Sequence, residues 1–521
     1  MKARFYSAVP MAVLLAVVTS VPTVHAAGIV SVCDEAHLLT ALAGGDAVTF
    51  NCGGTIVLNN PINIAADTVV DGNGHSVTIS GDNTVPVFMV NHVALTMKGL
   101  TIANGRNTSE GGGGVSAFGG TVNIDHSTLD DNSAYDGAVY CKGCTLNVSH
   151  STFSSNICVE EGGMCYGGGI STYPGGIVAV SDSTFSGNIA ITGGAIFSNC
   201  SPYEPSFLSV TRSTFTNNVA TQWGGGAIGT CSEAVVSNST FYGNSAAEES
   251  YDSVGGAIAN AGPLTVINST FWGNSGYGAG GIYNNDYNEN ATVLLQNSIV
   301  ANSTLGANCY GDITDGGGNL SYPDMSCGGI NVDPLLGELQ DNGGPTLTMA
   351  PGPGSPGIEA AVDAICAADP VDNLDQRGVV RPQGTHCDIG AVEQAPYTLV
   401  LSRPIDIKPD SDVNSMNPSA RGTLPVAILT NDDFDASEVD PQTVAFGPSG
   451  ASTSHEREHV TDVDGDGDAD LLLHFRIPDT GLACGAEYAW LTGRTYAGEA
   501  FQGVDVIRTV GCQKSARADK L

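Results

Sequence analysis

Short apolar runs interrupted by glycine and asparagine recur along most of the first 300 residues. Runs such as Gly176 to Val180, Leu264 to Ile267 and Thr292 to Leu295 are rich in β-branched residues and bounded by Gly, Asn or Pro. This pattern is typical of β-strands. It predicts several short strands in each repeat rather than a pair of helices.

Two short phrases alternate along this region. The first, Ser-Thr-Phe followed by two residues and Asn, starts at Ser151, Ser183, Ser213, Ser239 and Ser269, with weaker copies at Ser127 and Ser298. The second is Gly-Gly-Ala-Ile, as at Gly193 to Ile196, Gly225 to Ile228 and Gly255 to Ile258. Starts of the first phrase lie 24 to 32 residues apart, a period typical of solenoids. The paired glycines predict positive φ or close backbone approach, so a side chain at Gly225 or Gly255 is expected to disrupt a coil.

Stacked coils of a parallel β-helix place every copy of a residue above the preceding copy, at about 4.8 Å. The predicted aromatic column is Phe153, Phe185, Phe215, Phe241 and Phe271, and the predicted aliphatic column is Ile170, Ile196, Ile228, Ile258 and Ile282. A third column, at a bend where Asn tolerates the left-handed conformation, is Asn156, Asn188, Asn218, Asn244, Asn274 and Asn302. The predicted fold class is all-β: a right-handed parallel β-helix solenoid followed by a small β-sandwich-like C-terminal domain.

The residues before the repeats predict a cap and entry coils. Asp34 to Ala43 has the pattern of a short amphipathic helix with an Asp cap, and two glycines follow it. Strand-like runs follow at Thr55 to Leu58 and at Pro61 to Ile64. This stretch resembles the entry coils of pectin-lyase-type parallel β-helices.

The alternation of the two phrases resembles the repeats of the polymorphic outer-membrane protein family, F-x-x-N and GGA[ILV], over residues 98 to 302. The next segment resembles the choice-of-anchor Q region that closes many such solenoids, through Asp333-Pro-Leu-Leu-Gly, Asp375-Gln-Arg-Gly and Cys387-Asp-Ile-Gly-Ala-Val-Glu393. The resemblance implies residence outside the cell or on its surface. The predicted boundaries are residues 27–327 for the capped β-helix and 328–396 for the closing segment.

Acidic residues far outnumber basic ones, with 54 Asp and Glu against 18 Lys and Arg and a net charge of -36. Such a field repels polyanions, so no nucleic-acid partner is expected. The 68 glycines follow no Gly-x-y period, which excludes a collagen.

Residues 1–26 have the pattern of a secretory signal, with two cations, an apolar run from Val9 to Val21 and a small-residue exit at Ala26. A membrane anchor is the alternative, but Pro10 and Pro22 bound a stretch that is short for the hydrocarbon core. No second apolar run of spanning length follows. We therefore expect a secreted, extracellular or cell-surface protein with no membrane-spanning segment after signal removal.

Fourteen cysteines, an even number, fit an oxidising compartment. Sequence neighbours suggest the pairs Cys33 with Cys52, Cys200 with Cys231, Cys309 with Cys327, Cys366 with Cys387, and Cys484 with Cys512. The remaining four are Cys141, Cys144, Cys158 and Cys165. They include one C-x-x-C, so a zinc site is an alternative, but their irregular spacing favours disulfides.

Insertions project from one edge of the coil, because 4 to 10 residues separate each phrase Asn from the next glycine phrase. Solenoids commonly bind partners along such an edge. The insertions contain Glu160, Glu161, Trp223, Glu248, Glu249, Tyr251, Asp252 and Tyr277. This mixture suits an extracellular glycan or a cell-surface protein as partner, and a merely solvated edge is the alternative.

Beyond Pro404 the repeat phrases vanish, which predicts a separate domain over residues 404–512 and a polar tail over 513–521. Its strand-like runs are Leu424 to Leu429, Thr443 to Phe446, Leu471 to Phe475 and Glu487 to Leu491. It resembles a module of unassigned role found on secreted bacterial and archaeal proteins, opening here with Ile405-Asp-Ile-Lys-Pro.

An acidic loop carries the clearest chemistry of this module, with carboxylates at Asp462, Asp464, Asp466, Asp468 and Asp470. Carboxylates at loop positions 1, 3, 5 and 9 with Gly467 at position 6 match the sharply turned, oxygen-rich loop that Ca²⁺ requires. Leu473 stands where an EF-hand has Glu, so the loop is of a different type. We expect Ca²⁺ as the cofactor, and a solvated acidic turn is the alternative.

The segment from His455 to His459 satisfies the H-E-x-x-H pattern of zinc proteases. That chemistry needs both histidines on one helical face, together with a third ligand. Turn residues precede the segment and the acidic loop follows it closely. We therefore expect a solvated loop there and no protease.

Parallel β-helices also include polysaccharide lyases and hydrolases, so the fold alone leaves function open. The cations of residues 27–396, which a lyase would need beside an acidic cluster, are Lys98, Arg106, Lys142, Arg212, Arg377 and Arg381. None lies in a recognisable acidic cluster, and the adjacent Asp pair, Asp130 with Asp131, lacks the companion motifs of a hydrolase. We predict no catalytic residues and an adhesin-like, glycan-binding or protein-binding role. A lyase or glycoside hydrolase and a structural extracellular protein are the alternatives.

Overall fold

The computed structural model describes residues 26–43, 46–158, 165–199, 201, 203–246, 254–285, 288–394, 401–409, 411, 413–431, 433–454, 459–486 and 488–512. The signal-like pattern over residues 1–26 lies almost wholly outside these residues. The chain divides into two compact units, Met1–Pro396 and Tyr397–Leu521. The first is a parallel β-helix, and the second is built from small, mainly antiparallel sheets.

Three parallel sheets form the walls of the β-helix, because successive coils contribute strands to all of them. Within the described residues, sheet 1 has 12 strands: Ala26–Val30, Asp46–Phe50, Thr68–Asp71, Ala94–Lys98, Thr121–Asp125, Thr145–Ser149, Ile177–Ser181, Phe207–Thr211, Glu233–Ser237, Pro263–Ile267, Thr292–Gln296 and Ile313–Asp315. Sheet 2, counted over the same residues, has 11 strands: Gly54–Val57, Val77–Ser80, Leu100–Ala103, Thr128–Asp130, Thr152–Ser154, Thr184–Ser186, Thr214–Thr216, Thr240–Tyr242, Thr270–Trp272, Ile299–Ala301 and Leu320–Tyr322.

Sheet 3 has 18 shorter strands in the described part of the chain, because most coils enter it twice. They are Ile62–Ile64, Phe88–Asn91, Arg106–Asn107, Val115–Phe118, Ser133–Ala134, Val139–Lys142, Ile157–Cys158, Ile170–Tyr173, Ile189–Ala190, Ile196–Ser198, Val219–Ala220, Gly224–Gly225, Ile228–Thr230, Ser245–Ala246, Val254–Gly255, Ile258–Asn260, Ser275–Asn284 and Leu305–Tyr310.

The predicted aromatic column lies inside the solenoid. Its rings, from Phe153 to Phe271, are fully buried, pair in register in sheet 2 and stack with centroids 4.5 to 4.9 Å apart. The aliphatic column from Ile170 to Ile282 is likewise in register, in sheet 3. Burial of each such side chain contributes about 1.5–3 kcal/mol, so the two columns make a large part of the core.

The asparagine column is a hydrogen-bonded ladder from Asn132 to Asn274. Each Nδ2 donates to the Oδ1 of the Asn in the following coil over 2.9 to 3.0 Å. The same Nδ2 also donates to a backbone carbonyl of the preceding coil, as Asn218 does to Phe185 over 3.0 Å. The ladder residues are buried, and these bonds satisfy their amides without water.

Two details of this column differ from the prediction. The left-handed conformation belongs to the residue before each ladder Asn, such as Asn217 with φ 55° or Gly273 with φ 65°. Asn302 occupies that preceding position, with φ 53°, and is not a ladder residue. The reason is that the last phrase reaches its Asn one residue early, which leaves Ser303 where the ladder would continue.

A second ladder, which the phrase analysis did not predict, consists of the serines that open each phrase. From Ser151 to Ser298, each Oγ accepts the backbone N–H of the serine one coil earlier, over 3.1 to 3.2 Å. These serines directly follow a turn column with φ of 44 to 51°, which runs from His126 to Asn297. The two ladders thus fix both ends of the short sheet 2 strands.

The predicted N-terminal cap helix is Glu35–Leu42. Its N-cap residue, Asp34, accepts the backbone N–H of His37 over 2.9 Å. Leu38 is fully buried in the core of the first coils. The other described helix, Asp363–Cys366, is a single turn, and no helix of the described residues is long and apolar enough to cross a membrane.

The segment after the last coil packs along the outer face of sheet 2. The Thr240 hydroxyl donates to Gln376 Oε1 over 2.6 Å, and Gln376 Nε2 donates to Thr214 Oγ1 over 2.9 Å. The Ala391 amide donates to Thr270 Oγ1 over 3.0 Å. These residues therefore cover a side of the solenoid. Outward-facing threonines of sheet 2 supply the docking partners.

A buried ion pair organises this docked segment. Arg381 Nη1 lies 3.1 Å from Glu393 Oε2, and neither side chain is exposed. The guanidinium also donates to the carbonyls of Leu374, Asp388 and Gly390 over 2.7 to 3.2 Å. Burial lowers the pKa of Arg381, and the nearby carboxylates oppose that effect. A buried ion pair is weak evidence for stability, because desolvation of the two charges offsets their attraction.

The disulfides follow the predicted sequence neighbours. In the described residues, these bonds are Cys33–Cys52, Cys309–Cys327, Cys366–Cys387 and Cys484–Cys512. The four cysteines that left zinc open form Cys141–Cys144 and Cys158–Cys165, so the zinc alternative is wrong. Cys200, the predicted partner of Cys231, lies outside the described residues.

The second unit contains two four-stranded sheets and one two-stranded ribbon among its described residues. One sheet consists of Leu401–Ser402, Val439–Phe446, Tyr488–Thr495 and Ala500–Val506, and the other of Ile405–Ile407, Thr423–Ile428, His459–Thr461 and Asp470–Arg476. The ribbon pairs Ser415–Met416 with Arg508–Thr509, and the 3₁₀ turns are Ala436–Glu438 and Ile477–Asp479. Phe446 and Phe475, from opposite sheets, stack at 5.0 Å in one apolar core, as in a β-sandwich.

Replacement of Gly225 by Ala should destabilise the solenoid strongly. The added Cβ would lie 1.8 Å from the Ile228 carbonyl oxygen, a backbone atom held by the coil. Urea unfolding followed by circular dichroism should show a loss of roughly 2 kcal/mol or more in the free energy of unfolding.

Gly273→Asn is the matched control for this substitution. An added Cβ there meets no atom within 4 Å, and Asn302 occupies the equivalent turn one coil later. The control should lose under about 1 kcal/mol. Equal unfolding midpoints for the two variants would contradict the assigned close approach.

Candidate functional site

The predicted calcium loop connects two neighbouring antiparallel strands of the second unit. Carboxylate oxygens of Asp462, Asp464 and Asp470 lie within 4.8 Å of one another. Asp466 and Asp468 belong to the same loop but lie outside this cluster of three. Three of the five predicted ligands are therefore brought together.

Backbone amides fold this loop around its carboxylates. Asp470 is 1% exposed, and its oxygens accept the backbone N–H groups of Thr430 and Val463, each over 2.8 Å. Asp462 is exposed and accepts the Gly465 N–H over 2.7 Å. The second Asp462 oxygen accepts the Gly467 N–H over 3.2 Å, so backbone amides hold both Asp462 and Asp470, and these two carboxylates differ in exposure.

The negative charges of the loop act on one another. The largest single influence on the pKa of Asp464 is a hydrogen bond from the Asp466 amide, which lowers it. Desolvation and the charges of Asp466 and Asp470 together outweigh this bond, so the pKa is raised overall. An all-oxygen donor set of clustered carboxylates suits a hard cation, whose charge would relieve this repulsion. The residues therefore fit Ca²⁺, which stays a prediction.

The H-E-x-x-H segment does not have the geometry of a zinc protease at its described end. His455 to Glu458 lie outside the described residues. His459 opens a β-strand, with its ring 6.3 Å from that of His474. In a strand, residues i and i+4 lie about 13 Å apart, too far to bind one ion, whereas on a helix they are neighbours.

A second candidate site lies on the outer face of sheet 3. Residues that directly follow the aliphatic column point outward, because neighbours in a strand alternate between faces. In register they are Tyr140, Ser171, Phe197, Gly229, Ala259, Tyr283 and Tyr310. Ring contacts at centroid distances of 4.5 to 6.5 Å link seven side chains here, named the aromatic strip: Phe118, Tyr140, Tyr173, Tyr166 and Phe197, and then Tyr283 and Tyr310.

An open groove of about 220 Å³ interrupts the aromatic strip. Its floor is formed by Gly229 and Ala259, which occupy the register positions between Phe197 and Tyr283. The indole of Trp223, 43% exposed, stands at the groove. Polar groups of the lining come from Thr192, Thr230, Asn260 and Asn285. Thr230 and Asn260 are nearly buried, and the Asn260 amide donates to Gly262 and Asn284, so the groove is mainly apolar. Mainly apolar clefts with aromatic walls are typical of ligand sites.

Two carboxyl groups lie at the N-terminal end of the aromatic strip. Glu110 accepts hydrogen bonds from Lys142 Nζ, over 2.8 Å, and from the Tyr140 hydroxyl, and these bonds lower its pKa. Asp136 is fully buried, and one of its oxygens accepts the Gly111 N–H over 3.0 Å. Its other oxygen has no hydrogen-bond partner. Burial, above all, raises the pKa of Asp136 to about 7.

Sequence reasoning missed this carboxyl pair. Glu110 and Asp136 lie 26 residues apart in the chain and become neighbours only when two coils stack. A signal was present, because each acidic residue directly precedes a glycine in a variant of the second phrase. Opposite shifts in pKa are typical of acid–base pairs, but the complete burial of Asp136 keeps its carboxyl from a ligand on the surface.

The predicted binding insertions are only partly described. Trp223 lies at the groove, and Tyr277 is 46% exposed. The other named insertion residues lie outside the described residues: Glu160, Glu161, Glu248, Glu249, Tyr251 and Asp252.

Comparison with known proteins shows no family for this chain. No family model matches the chain, and no curated protein matches it. The crystal structure of pectate lyase Pel9A is similar at 13% sequence identity with a TM-score of 0.40, covering 68% of this chain and 90% of that chain. The resemblances to polymorphic outer-membrane protein repeats and to a choice-of-anchor Q region stay predictions.

Ca²⁺ should bind the acidic loop and stabilise the full-length protein. At one hundred times the Kd, a ligand that binds only the folded state adds about 2.7 kcal/mol to the free energy of unfolding. The double variant Asp464→Asn/Asp466→Asn should abolish heat release in calorimetry, because both side chains are exposed loop carboxylates. The control Asp433→Asn, an exposed Asp outside the loop, should bind as the wild type does. Unchanged binding by the double variant would refute the site.

Asp136→Asn should stabilise the protein more at pH 8 than at pH 4. The unfolded carboxyl ionises near pH 4, whereas the buried one keeps its proton until about pH 7. Wild-type stability therefore falls as the pH rises from 4 to 7. Above pH 7 the folded protein bears the whole free-energy cost of the buried, ionised carboxyl. One pKa unit corresponds to about 1.4 kcal/mol. In urea unfolding, the free energy of unfolding of the Asn variant relative to the wild type should therefore be roughly 2–4 kcal/mol higher at pH 8 than at pH 4.

Asp131→Asn, at an exposed turn of the neighbouring strand connection, is the matched control and should show no such pH dependence. A pH-independent difference between the Asp136 variant and the wild type would rule out a buried, protonated carboxyl.

Proposed function

We propose that this chain is an extracellular or cell-surface protein that binds a neutral polysaccharide along the outer face of sheet 3. The observation that carries the proposal is the groove over Gly229 and Ala259, with the rings of Tyr166, Phe197 and Tyr283 around it. Sugar rings present apolar C–H faces that pack on aromatic rings, while their hydroxyls hydrogen-bond to neighbouring polar groups. The groove offers the apolar kind of contact through its rings.

The length of the aromatic strip favours an extended polymer over a small ligand. Its rings belong to coils from Phe118 to Tyr310, and adjacent coils are about 4.8 Å apart. Tyr140 is fully buried, but a chain that follows the solenoid axis would still meet Phe197 and Tyr310 on the two sides of the groove. This geometry supports a polysaccharide strand as ligand.

Charge argues against an acidic polymer. Residues 27–396 carry 34 acidic side chains and six basic ones. At the aromatic strip, Lys142 already pairs with Glu110 over 2.8 Å. A polyanion would be repelled by this surface, whereas a neutral chain meets no such barrier.

The extracellular assignment is supported by the signal pattern over residues 1–26 and by the disulfides. Disulfides persist in oxidising compartments and are rare in the cytosol. The resemblance to secreted solenoids, including polymorphic outer-membrane protein repeats and a choice-of-anchor Q region, points the same way.

Binding without cleavage is favoured over the glycoside hydrolase alternative. A glycoside hydrolase needs two carboxyl groups that both reach the sugar. Of the two carboxyls at the aromatic strip, Asp136 is fully buried and only Glu110 is exposed. Asp130 is hydrogen-bonded to Ser154 on sheet 2, away from sheet 3.

The experiment is a glycan array of neutral, acidic and amino-sugar polysaccharides, followed by calorimetry with the best ligand. Trp223→Ala removes a ring from the groove, and Ala259→Tyr fills the groove at a register position that carries tyrosine in the next coil. Each should weaken binding by roughly tenfold or more, since a buried aromatic contact contributes about 1–2 kcal/mol.

Tyr203→Ala is the control, because Tyr203 is 91% exposed and lies outside the groove. It should leave the Kd unchanged. Wild-type affinity in both groove variants would place binding elsewhere. Release of new reducing or unsaturated ends would show that the protein cleaves the glycan and would overturn binding without cleavage. Absence of binding to any glycan would favour the structural alternative.

A further inference from the structure

A cluster of two histidines and one aspartate lies at the turn between sheet 1 and sheet 2, apart from the aromatic strip. Asp125 ends one sheet 1 strand and pairs in register with Ser149 of the next coil. His126 and His150 directly follow these two residues. The stacking of coils therefore places both histidines at the same turn position in adjacent coils.

The backbone holds the two imidazoles in parallel. His126 and His150 both have φ 47°, within the left-handed column of the turn. Their rings stack with centroids 4.6 Å apart and planes 10° from parallel. Histidine is among the non-glycine residues enriched in this conformation, so both side chains suit the turn position that the solenoid provides.

The donor atoms converge on one carboxylate oxygen. Asp125 Oδ1 lies 2.9 Å from His126 Nδ1 and 3.7 Å from His150 Nδ1. All three donor atoms lie within 4.8 Å of one another. Two ligands of a tetrahedral Zn²⁺ are roughly 3.3 Å apart, given bonds of about 2.0–2.1 Å. The observed spacing therefore needs only small adjustments to surround such an ion.

We propose that Asp125, His126 and His150 form a binding site for a divalent transition-metal ion of the Zn²⁺ type, with a coordination position left open to solvent. Two imidazole nitrogens and one carboxylate oxygen are a ligand set that Zn²⁺ accepts, whereas Ca²⁺ prefers oxygen alone. This site is separate from the acidic loop and does not rest on the proposed glycan binding.

Neighbouring residues define the limits of the site. The Ser149 hydroxyl donates to Asp125 Oδ1 over 2.8 Å and orients the carboxylate from the outer sphere. In the following coil the same turn position is Asp182, which is held by two hydrogen bonds of 2.7 Å from Arg212. Because the Asp182 carboxylate is paired with the Arg212 guanidinium, we do not count it as a ligand, and the site has three protein ligands.

Exposure leaves the site accessible to an ion. The side chains of His126, His150 and Asp125 are 66%, 44% and 33% exposed. Zinc sites with three protein ligands keep the remaining position for water or another ligand. The turn therefore supplies a surface site that a second molecule can complete.

The test is calorimetric titration of the untagged, full-length protein with ZnCl₂ in excess Ca²⁺, which keeps the acidic loop saturated. The variants are His126→Asn, His150→Asn and the double variant. Asn fits the turn, because Asn238, Asn268 and Asn297 occupy the same column with φ of 44 to 46°. The wild type should bind one Zn²⁺ per chain at this site.

Each single variant should lose about tenfold or more in Zn²⁺ affinity, since even outer-sphere partners of metal ligands contribute about 10–100-fold. The double variant should lose the site and, with Co²⁺ as probe, the visible absorption of a nitrogen-ligated ion. His92→Asn, at another exposed left-handed turn, is the control and should bind like the wild type.

Circular dichroism of each variant separates loss of metal from loss of fold. Equal Zn²⁺ affinity and stoichiometry in the wild type and the folded double variant would overturn the proposal, as would absence of Zn²⁺ binding by the wild type. Neither result bears on glycan binding, which is measured without Zn²⁺.

Discussion

Register between coils is the constraint on which the solenoid depends. The ladder asparagines are buried, and each amide finds partners only in its own coil's neighbours. A slip of one residue would leave these groups unpaired, at a cost of about 1–3 kcal/mol for each one. Because the ladders hold the interior in register, they also align the outside. The aromatic strip and the pair of His126 and His150 are consequences of that alignment, since their members are far apart in the chain.

The interior could be predicted from the sequence because it repeats. The positions of Phe185 or Ile196 must hold a side chain of similar size in every coil, so their types return and disclose the columns. The acidic loop was also predictable, since its residues are adjacent in the chain. Its exact ligand set was not, because burial assigns Asp470 to backbone amides while Asp466 and Asp468 lie outside the cluster of three.

The outer sites could not be predicted in the same way. Outward positions carry no packing requirement, so tyrosine, serine, glycine and alanine alternate there without a period. The groove exists because Gly229 and Ala259 interrupt a column that is otherwise largely aromatic. The residue after each aliphatic column member was the available signal. Its meaning depends on which coils are neighbours, and coil lengths of 24 to 32 residues obscure that relation in the sequence.

The docked segment changes how the C-terminal coils can come apart. In a bare solenoid each coil contacts only its neighbours, so terminal coils can detach singly. Here Gln376 bonds to Thr214 and Thr240 in successive coils, and the Ala391 amide bonds to Thr270 in a third. None of these coils can unfold locally without first breaking its hydrogen bonds to the docked segment, which is also bound to the other coils. The docked segment thus makes the opening of these coils concerted rather than stepwise, and it keeps partly opened coils from being exposed to proteases.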